Sequence, residues 1–363
     1  MCKSCEVVDW PLERMIALAS LVHMFNVNKL CLFSCLCVIV IIVLYFQSEI
    51  VRIEENYHKI EFRLVQSHAE SRQFLPKVVE KSDDDTVVIY NRVPKTGSTS
   101  FVGVAYDLCK KNNFKVLHIN ITANRHIMSL NNQYKFAQNV TKWHEVKPAL
   151  YHGHMAFLNF ERLGTTSKPI FINLIRKPLD RLVSYYYFLR YGDNYRPHLV
   201  RKKHGDKMTF DECVEQGQPD CDPNNMWLQV PFFCGHAADC WKPGNQWALE
   251  QAKHNLVNHY LVVGVTEEML DFITVLEATL PRFFRGATEY YLSSNKSHLR
   301  QTSSKIDPSQ KTVEKIQQSV VWKMENELYE FALEQFKFVK RKLLVKEANN
   351  VAQIYFYEKI RPK

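Results

Sequence analysis

From residue 86 onward, short apolar runs of strand type alternate with amphipathic helical stretches, and that order leaves few folds open. Thr86–Tyr90, Phe114–Ile119, Ala149–His152, Pro169–Ile175 and Tyr260–Val265 read as strands. Between them fall a helix with the apolar face Phe101, Val104, Ala105 and Leu108, a second over 127–143, and a third over Pro178–Arg190. The third has its proline near the start, where the missing N–H costs nothing. A long helical stretch over 312–342 follows the last strand. Strands separated by helices pair in parallel, and a parallel sheet needs helices on both faces. The expected class is therefore α/β, a central, mostly parallel sheet flanked by helices. The 22 Phe, 17 Tyr and 6 Trp among 363 residues supply a large core and exclude a disordered chain, and only 11 Gly exclude a collagen-like one.

Ahead of this lies Leu30–Phe46, 17 residues without charge or proline. That is the lower end of what spans a bilayer as a helix. No small-residue cleavage site follows, so the run reads as a retained anchor rather than a signal peptide. The expected organisation is a cytosolic tail (1–29), an anchor (30–47), a stem (48–80) and a luminal domain (81–363). Ile50, Ile53, Tyr57, Ile60 and Leu64 give the stem two heptads of coiled-coil spacing. Cys2-Lys-Ser-Cys5 has no second pair to make a zinc site, and reads as an acylation candidate in the tail. Arg14 and Lys29 before the run and Arg52, Lys59 and Arg63 after it leave orientation undecided by charge. The sequons at Asn120 and Asn139 favour a luminal carboxy-terminal part, as do the close pairs Cys213/Cys221 and Cys234/Cys240, suited to small disulfide loops. A third sequon begins at Asn295. Cys109 is expected on a helix as a buried free thiol.

The net charge is +9. Lys3, Arg14 and Lys29 balance Glu6, Asp9 and Glu13, so the whole excess falls after residue 47 and points to an anionic partner. The anchor, sequons and cysteine pairs argue against nucleic acid. Pro94-Lys-Thr-Gly-Ser-Thr-Ser100 follows the first strand and opens a helix, where backbone N–H groups and hydroxyls bind phosphate. The lysine precedes the glycine, so this is not a Walker A motif, and a nucleotide kinase is disfavoured. Arg176 ends a buried strand and Ser184 lies about two turns into the next helix, a pair able to hold a second phosphate. Tyr151-His-Gly-His154 has no carboxylate or cysteine beside it to complete a metal site.

Tyr90–Ser100, Tyr151–His154, Arg181–Arg190, Pro231–His236, Phe283–Glu289 and Ser297–Arg300 occur in this order, and the chain from about residue 86 onward resembles the heparan sulfate 2-O-sulfotransferases. The resemblance implies a P-loop-like sulfotransferase fold and 3′-phosphoadenosine 5′-phosphosulfate (PAPS) as donor, with no catalytic metal. It implies that Lys95, Thr96, Gly97, Ser98 and Thr99 cradle the 5′-phosphosulfate and that Arg176 and Ser184 hold the 3′-phosphate. Tyr291, Ser297, Thr302 and Lys305 would close over the nucleotide, which would leave Asn295 without a glycan. His154 would be the general base, with His152 assisting and Lys95 stabilising the transferred group. Arg92, Asp193, Arg196 and Arg201 match positions at or near the acceptor, in keeping with guanidinium forks for sulfate and carboxylate. A basic residue usual just after the first sequon is Ala123 here, and Arg125 stands nearby. The resemblance also implies a Golgi type II membrane protein and a homotrimer, with Ile354–Tyr357 as a contact strand. Two other readings are a uronyl 2-O-sulfotransferase acting on dermatan or chondroitin sulfate, and a non-catalytic glycan-binding membrane protein.

Overall fold

The computed structural model describes residues 42–49, 85–121, 125–165, 167–294, 302 and 304–347, the last four as backbone. In the amino-terminal unit, Met1–Glu80, residues 42–49 are helical and Ile42 to Phe46 are exposed. No helix among the described residues is long and apolar enough to cross a membrane. Residues 30–41 of the apolar run, the tail, the stem from residue 50 and the Ile354–Tyr357 segment lie outside the described residues.

In the second unit, Lys81–Lys363, five strands form one sheet. They are β1 (Val87–Asn91), β2 (Lys115–Ile119), β3 (Ala149–Gly153), β4 (Ile170–Ile175) and β5 (Tyr260–Val265), in the order β2-β3-β1-β4-β5 with every pairing parallel. Each strand falls where the apolar runs place it. All five residues of β1 are buried, and successive side chains point to opposite faces. Val87 and Ile89 join one core, and Val88 and Tyr90 the other.

The helices that matter for the site are α1 (Ser98–Leu108), α2 (Leu130–Lys142), α3 (Pro178–Tyr191), α4 (Phe210–Glu215), α5 (Gln229–Cys234), α6 (Gln246–His259), α7 (Met269–Thr279), α8 (Pro281–Phe284), α9 (Ala287–Ser293), α10 (Gln310–Gln317) and α11 (Val320–Glu347). Phe101 and Leu108 of α1 pack with Phe272 and Leu276 of α7 on one face. Leu182 and Tyr186 of α3, Phe232 of α5 and Leu249 of α6 cover the other. The α11 helix serves both faces, since Leu328 and Ala332 belong to the core of Val87 and Ile89, and Phe336 and Leu343 to that of Val88 and Tyr90.

Two expectations need correction. The single helix over 312–342 is two, because Ser319 interrupts it and its hydroxyl accepts the Trp322 N–H at 3.0 Å, a cap that starts α11 afresh. Cys109 is not buried in a helix. It is the residue that ends α1, is half-buried, and its Sγ lies 3.1 Å from the Tyr106 carbonyl oxygen. Cys213 is bonded to Cys221 and Cys234 to Cys240, closing small loops after α4 and α5.

Gly264 in β5 shows how closely α7 approaches the sheet. A Cβ there would lie 2.3 Å from Cδ2 of the buried Phe272. Gly264→Ala should cost ~1–3 kcal/mol of stability by overpacking, read as a lower urea midpoint at unchanged slope.

Candidate functional site

The site is assembled at the carboxy-terminal ends of the strands. Asn91 of β1 and Gly153 of β3 are register partners, so the next residues, Arg92 and His154, leave the sheet side by side. Gly153 also lets β2 come close on the other side, since a Cβ would lie 2.4 Å from the Ile119 carbonyl oxygen. His154 Nδ1 donates to the Arg92 carbonyl oxygen at 2.8 Å. A carbonyl can only accept, so the neutral ring carries its proton on Nδ1 and leaves Nε2 as the basic nitrogen. Burial, with the Arg92 cation second, holds its pKa down at about 3. The imidazole therefore stays neutral throughout the physiological range.

The loop after β1 is fixed by its own atoms. The buried Thr96 hydroxyl donates to the Val93 carbonyl at 2.9 Å. Gly97 then caps α1 at φ 71°, where a side chain is strained and a Cβ would meet Met269 Cε at 3.0 Å. No acidic residue stands in the first turn of α1, leaving its positive end uncompensated from within the helix. Lys95 is itself at φ 68°, sparse for a residue with a side chain. Its Nζ lies 4.2 Å from the centre of the Phe188 ring, and the Arg201 guanidinium lies at the same distance from that ring.

After β4, the Arg176 Nη1 reaches the Lys95 carbonyl at 3.4 Å, joining the two loops. Thr266, just past β5, places its hydroxyl 3.0 Å from both the Thr96 and the Ile175 carbonyl oxygens. A cleft of about 710 Å³ opens between these segments. Arg92, Lys95, Gly97, Ser98, Thr99, His154, Arg176, Ser184, Tyr291, Thr302 and Lys305 all line it. Lys305 pairs with Asp307 at 2.8 Å, and the Thr302 hydroxyl is buried with no hydrogen-bond partner among the described residues.

Other anticipated residues stand elsewhere. Thr96 points inward and does not line the cleft. Ser297 and Asn295 lie outside the described residues. His152 is buried within β3, with its Nε2 3.0 Å from the Tyr106 hydroxyl and its ring beside His118. Burial and the Arg92 cation push its pKa down to about 3. Asp193 is also buried. It accepts the N–H groups of Tyr195 and Arg196 at 3.1 and 2.9 Å and meets Arg201 at 3.3 Å, so it shapes the loop that carries both arginines. Asn120 and Asn139 are exposed and line one groove beside β2.

Sequence reasoning missed Tyr106, Phe188, Gln229 and Thr266. Phe188 was findable, because Asp180, Ser184 and Phe188 recur at four-residue spacing on one face of α3. Thr266, the first polar residue after a buried strand, carried the same signal as Arg176.

The sequence profile of the sulfotransferase family matches residues 81–332, and the chain belongs to that family, whose members move a sulfuryl group from PAPS. Over 281 residues the chain is 66% identical to a Drosophila melanogaster protein named heparin sulfate O-sulfotransferase, covering 77% of this chain and 80% of that one. It is 56% identical over 334 residues to heparan sulfate 2-O-sulfotransferase 1 of Gallus gallus, covering 88% and 93%. The Homo sapiens protein of the same name is 53% identical over 331 residues, again covering 88% and 93%. The residues present fit the donor. A helix N-terminus with a glycine at positive φ, a lysine, an Arg–Ser pair and an orphaned threonine hydroxyl share one cleft, a donor-rich set suited to a nucleotide with two anionic ends.

The histidine geometry is directly testable. Nitrogen-15 NMR should place the His154 proton on Nδ1, and the ring should show no titration between pH 5 and pH 8, whereas an ordinary exposed histidine would titrate near 6.5.

Proposed function

We propose that this protein transfers a sulfuryl group from PAPS to the 2-hydroxyl of uronic acid, chiefly iduronic acid, in heparan sulfate. The observation that carries this reading is the meeting in one cleft of a histidine with a basic Nε2 and a phosphate-type loop bearing Lys95. The glycan in this reading is supported by the relatives' printed names, and the 2-hydroxyl by the 2-O in that of the Gallus gallus protein.

Bound, the donor supplies a sulfuryl group on a phosphate leaving group. The α1 N-terminus and the hydroxyls of Ser98 and Thr99 hold the 5′ end, and Lys95 neutralises charge that grows there as the bond to sulfur breaks. Arg176 and Ser184 hold the 3′-phosphate, with Tyr291, Thr302 and Lys305 closing the other wall. His154 Nε2 accepts the proton of the sugar hydroxyl as its oxygen bonds sulfur. Because Nδ1 is held by the Arg92 carbonyl, Nε2 is the nitrogen free to take that proton. Tyr106 holds His152 behind the base, which suits a positioning role. Arg92 faces the acceptor in the cleft, and the loop of Arg196 and Arg201 offers the glycan its next cations.

The setting belongs to the same proposal: a type II Golgi membrane protein with its catalytic domain in the lumen, assembled as a homotrimer. Its supports are the uncharged run at 30–46, the two disulfides, the exposed sequon asparagines and the family resemblance.

Incubating the purified protein with PAPS and desulfated heparan should yield 2-O-sulfated uronic acid on disaccharide analysis. Sulfation of dermatan in preference to heparan would instead make it a uronyl 2-O-sulfotransferase, and absence of donor binding in calorimetry would make it a glycan-binding protein. His154→Ala should lower transfer by ~10²–10⁴-fold while leaving nucleotide affinity within about twofold. Full transfer by that variant would refute the base assignment.

A further inference from the structure

The backbone of Arg176 is gripped at both of its polar groups by one side chain from a distant part of the chain. The Arg176 N–H donates to Gln229 Oε1 at 2.9 Å, and Gln229 Nε2 donates to the Arg176 carbonyl at 2.9 Å. This two-point contact imitates a strand pairing at the place where β4 has run out of neighbours. Gln229 is fully buried, so its amide has no water to turn towards.

Gln229 is held in turn. It opens α5, whose first N–H groups have no partners within the helix. Glu325, fully buried on α11, takes them: its Oε1 accepts from Leu228 and Val230 at 2.8 and 3.0 Å, and its Oε2 from Gln229 at 3.2 Å. Arg181 of α3, also buried, donates to the carbonyls of Met226 and Asn225 at 2.7 and 3.3 Å, on the preceding turn. The 225–230 segment is thus fastened by a carboxylate on its N–H groups and a guanidinium on its carbonyls. Two buried charges that meet backbone groups and feel each other only across the segment are a poor source of stability, since desolvation of each charge offsets their attraction. What they do well is hold one geometry. Here the geometry held is that of Gln229, and through it of Arg176, whose side chain lines the cleft and touches the Lys95 carbonyl.

We propose that Gln229 is a positioning residue for Arg176, secured by Glu325 of the carboxy-terminal helix, and that the two set the preference of the site for a nucleotide bearing a 3′-phosphate. This rests on the reading of Arg176 as the 3′-phosphate residue. A guanidinium moved by about 1 Å loses its bidentate fit to phosphate, and only the 3′-phosphate part of the affinity then falls.

The test compares two ligands by calorimetry on the full chain: adenosine 3′,5′-bisphosphate, and adenosine 5′-monophosphate, which lacks the 3′ group. Gln229→Met keeps the volume and removes both bonds. Glu325→Gln keeps the shape and weakens the hold on α5. Each should weaken the bisphosphate by about tenfold or more and leave the monophosphate within about twofold. The KM for PAPS should rise by the same factor, with kcat and the KM for heparan nearly unchanged. Arg176→Ala serves as the reference. If it leaves the preference for bisphosphate intact, the donor-site reading fails. If it abolishes that preference while Gln229→Met and Glu325→Gln do not, only the positioning role fails. Equal weakening of both nucleotides, or loss of the folded state in Gln229→Met with Glu325→Gln folded and binding as the parent does, would also overturn it, since the residues would then act on the fold and not on the 3′ site.

Discussion

Burying a parallel sheet on both faces decides where chemistry can occur in this protein. The interior of β1 presents apolar side chains to two cores, and its neighbours β3 and β4 are nearly as enclosed. Polar groups that must meet a ligand can therefore emerge only where the strands stop. The chain leaves β1 toward β2 and β3, and leaves β4 toward β5 on the opposite side. Two crossovers that part in this way open a crevice between their strand ends, and the loops after β1 and β4 both line it. The remaining parts of the site, His154 after β3 and Thr266 after β5, come from the adjacent strand ends.

Within the crevice one residue controls the proposed base in two ways. The Arg92 carbonyl fixes the His154 proton on Nδ1, and burial, with the Arg92 guanidinium second, keeps a second proton off. The positive excess of the chain falls entirely after residue 47, so this local concentration of Arg and Lys reflects its general bias toward polyanions. One carboxylate that lines the cleft is turned to structural use. Glu267 accepts the Lys177 N–H at 3.1 Å and the Tyr329 hydroxyl at 3.2 Å, and so holds the loop after β4 to the carboxy-terminal helix.

The loop that carries Arg196 and Arg201 is held by aromatic and ionic contacts. Phe188 carries Lys95 and Arg201 over its ring, so the donor loop and the arginine loop share one support. Buried Arg190 pairs with Asp206 and Asp220 at 2.8 and 2.9 Å and ties down the far side of that loop. A loop so fastened presents Arg196 and Arg201 without the full entropy cost of ordering a free segment.

The strands, the helices that follow the loops after β1 and β4, the cysteine pairs and the glycine turn that opens α1 were legible in the sequence, because each is a local signal: a period of two or four, a turn glycine, a proline at a helix start, a short spacing between cysteines. The break at Ser319 was missed because a single cap outweighs an otherwise helical run. The inward turn of Thr96, the internal duty of Asp193, the tautomer of His154 and the clamp of Gln229 on Arg176 could not be read there. Each depends on a partner chosen by strand order and by helix packing across the sheet, and the Gln229–Arg176 contact joins residues 53 positions apart. By itself the sequence determined the five strands, the helices that follow the first and the fourth of them, and which residue types are available to an anion. The tertiary structure alone decided which of those residues face the cleft, because that depends on hydrogen bonds and charges brought together only when the sheet is closed on both faces.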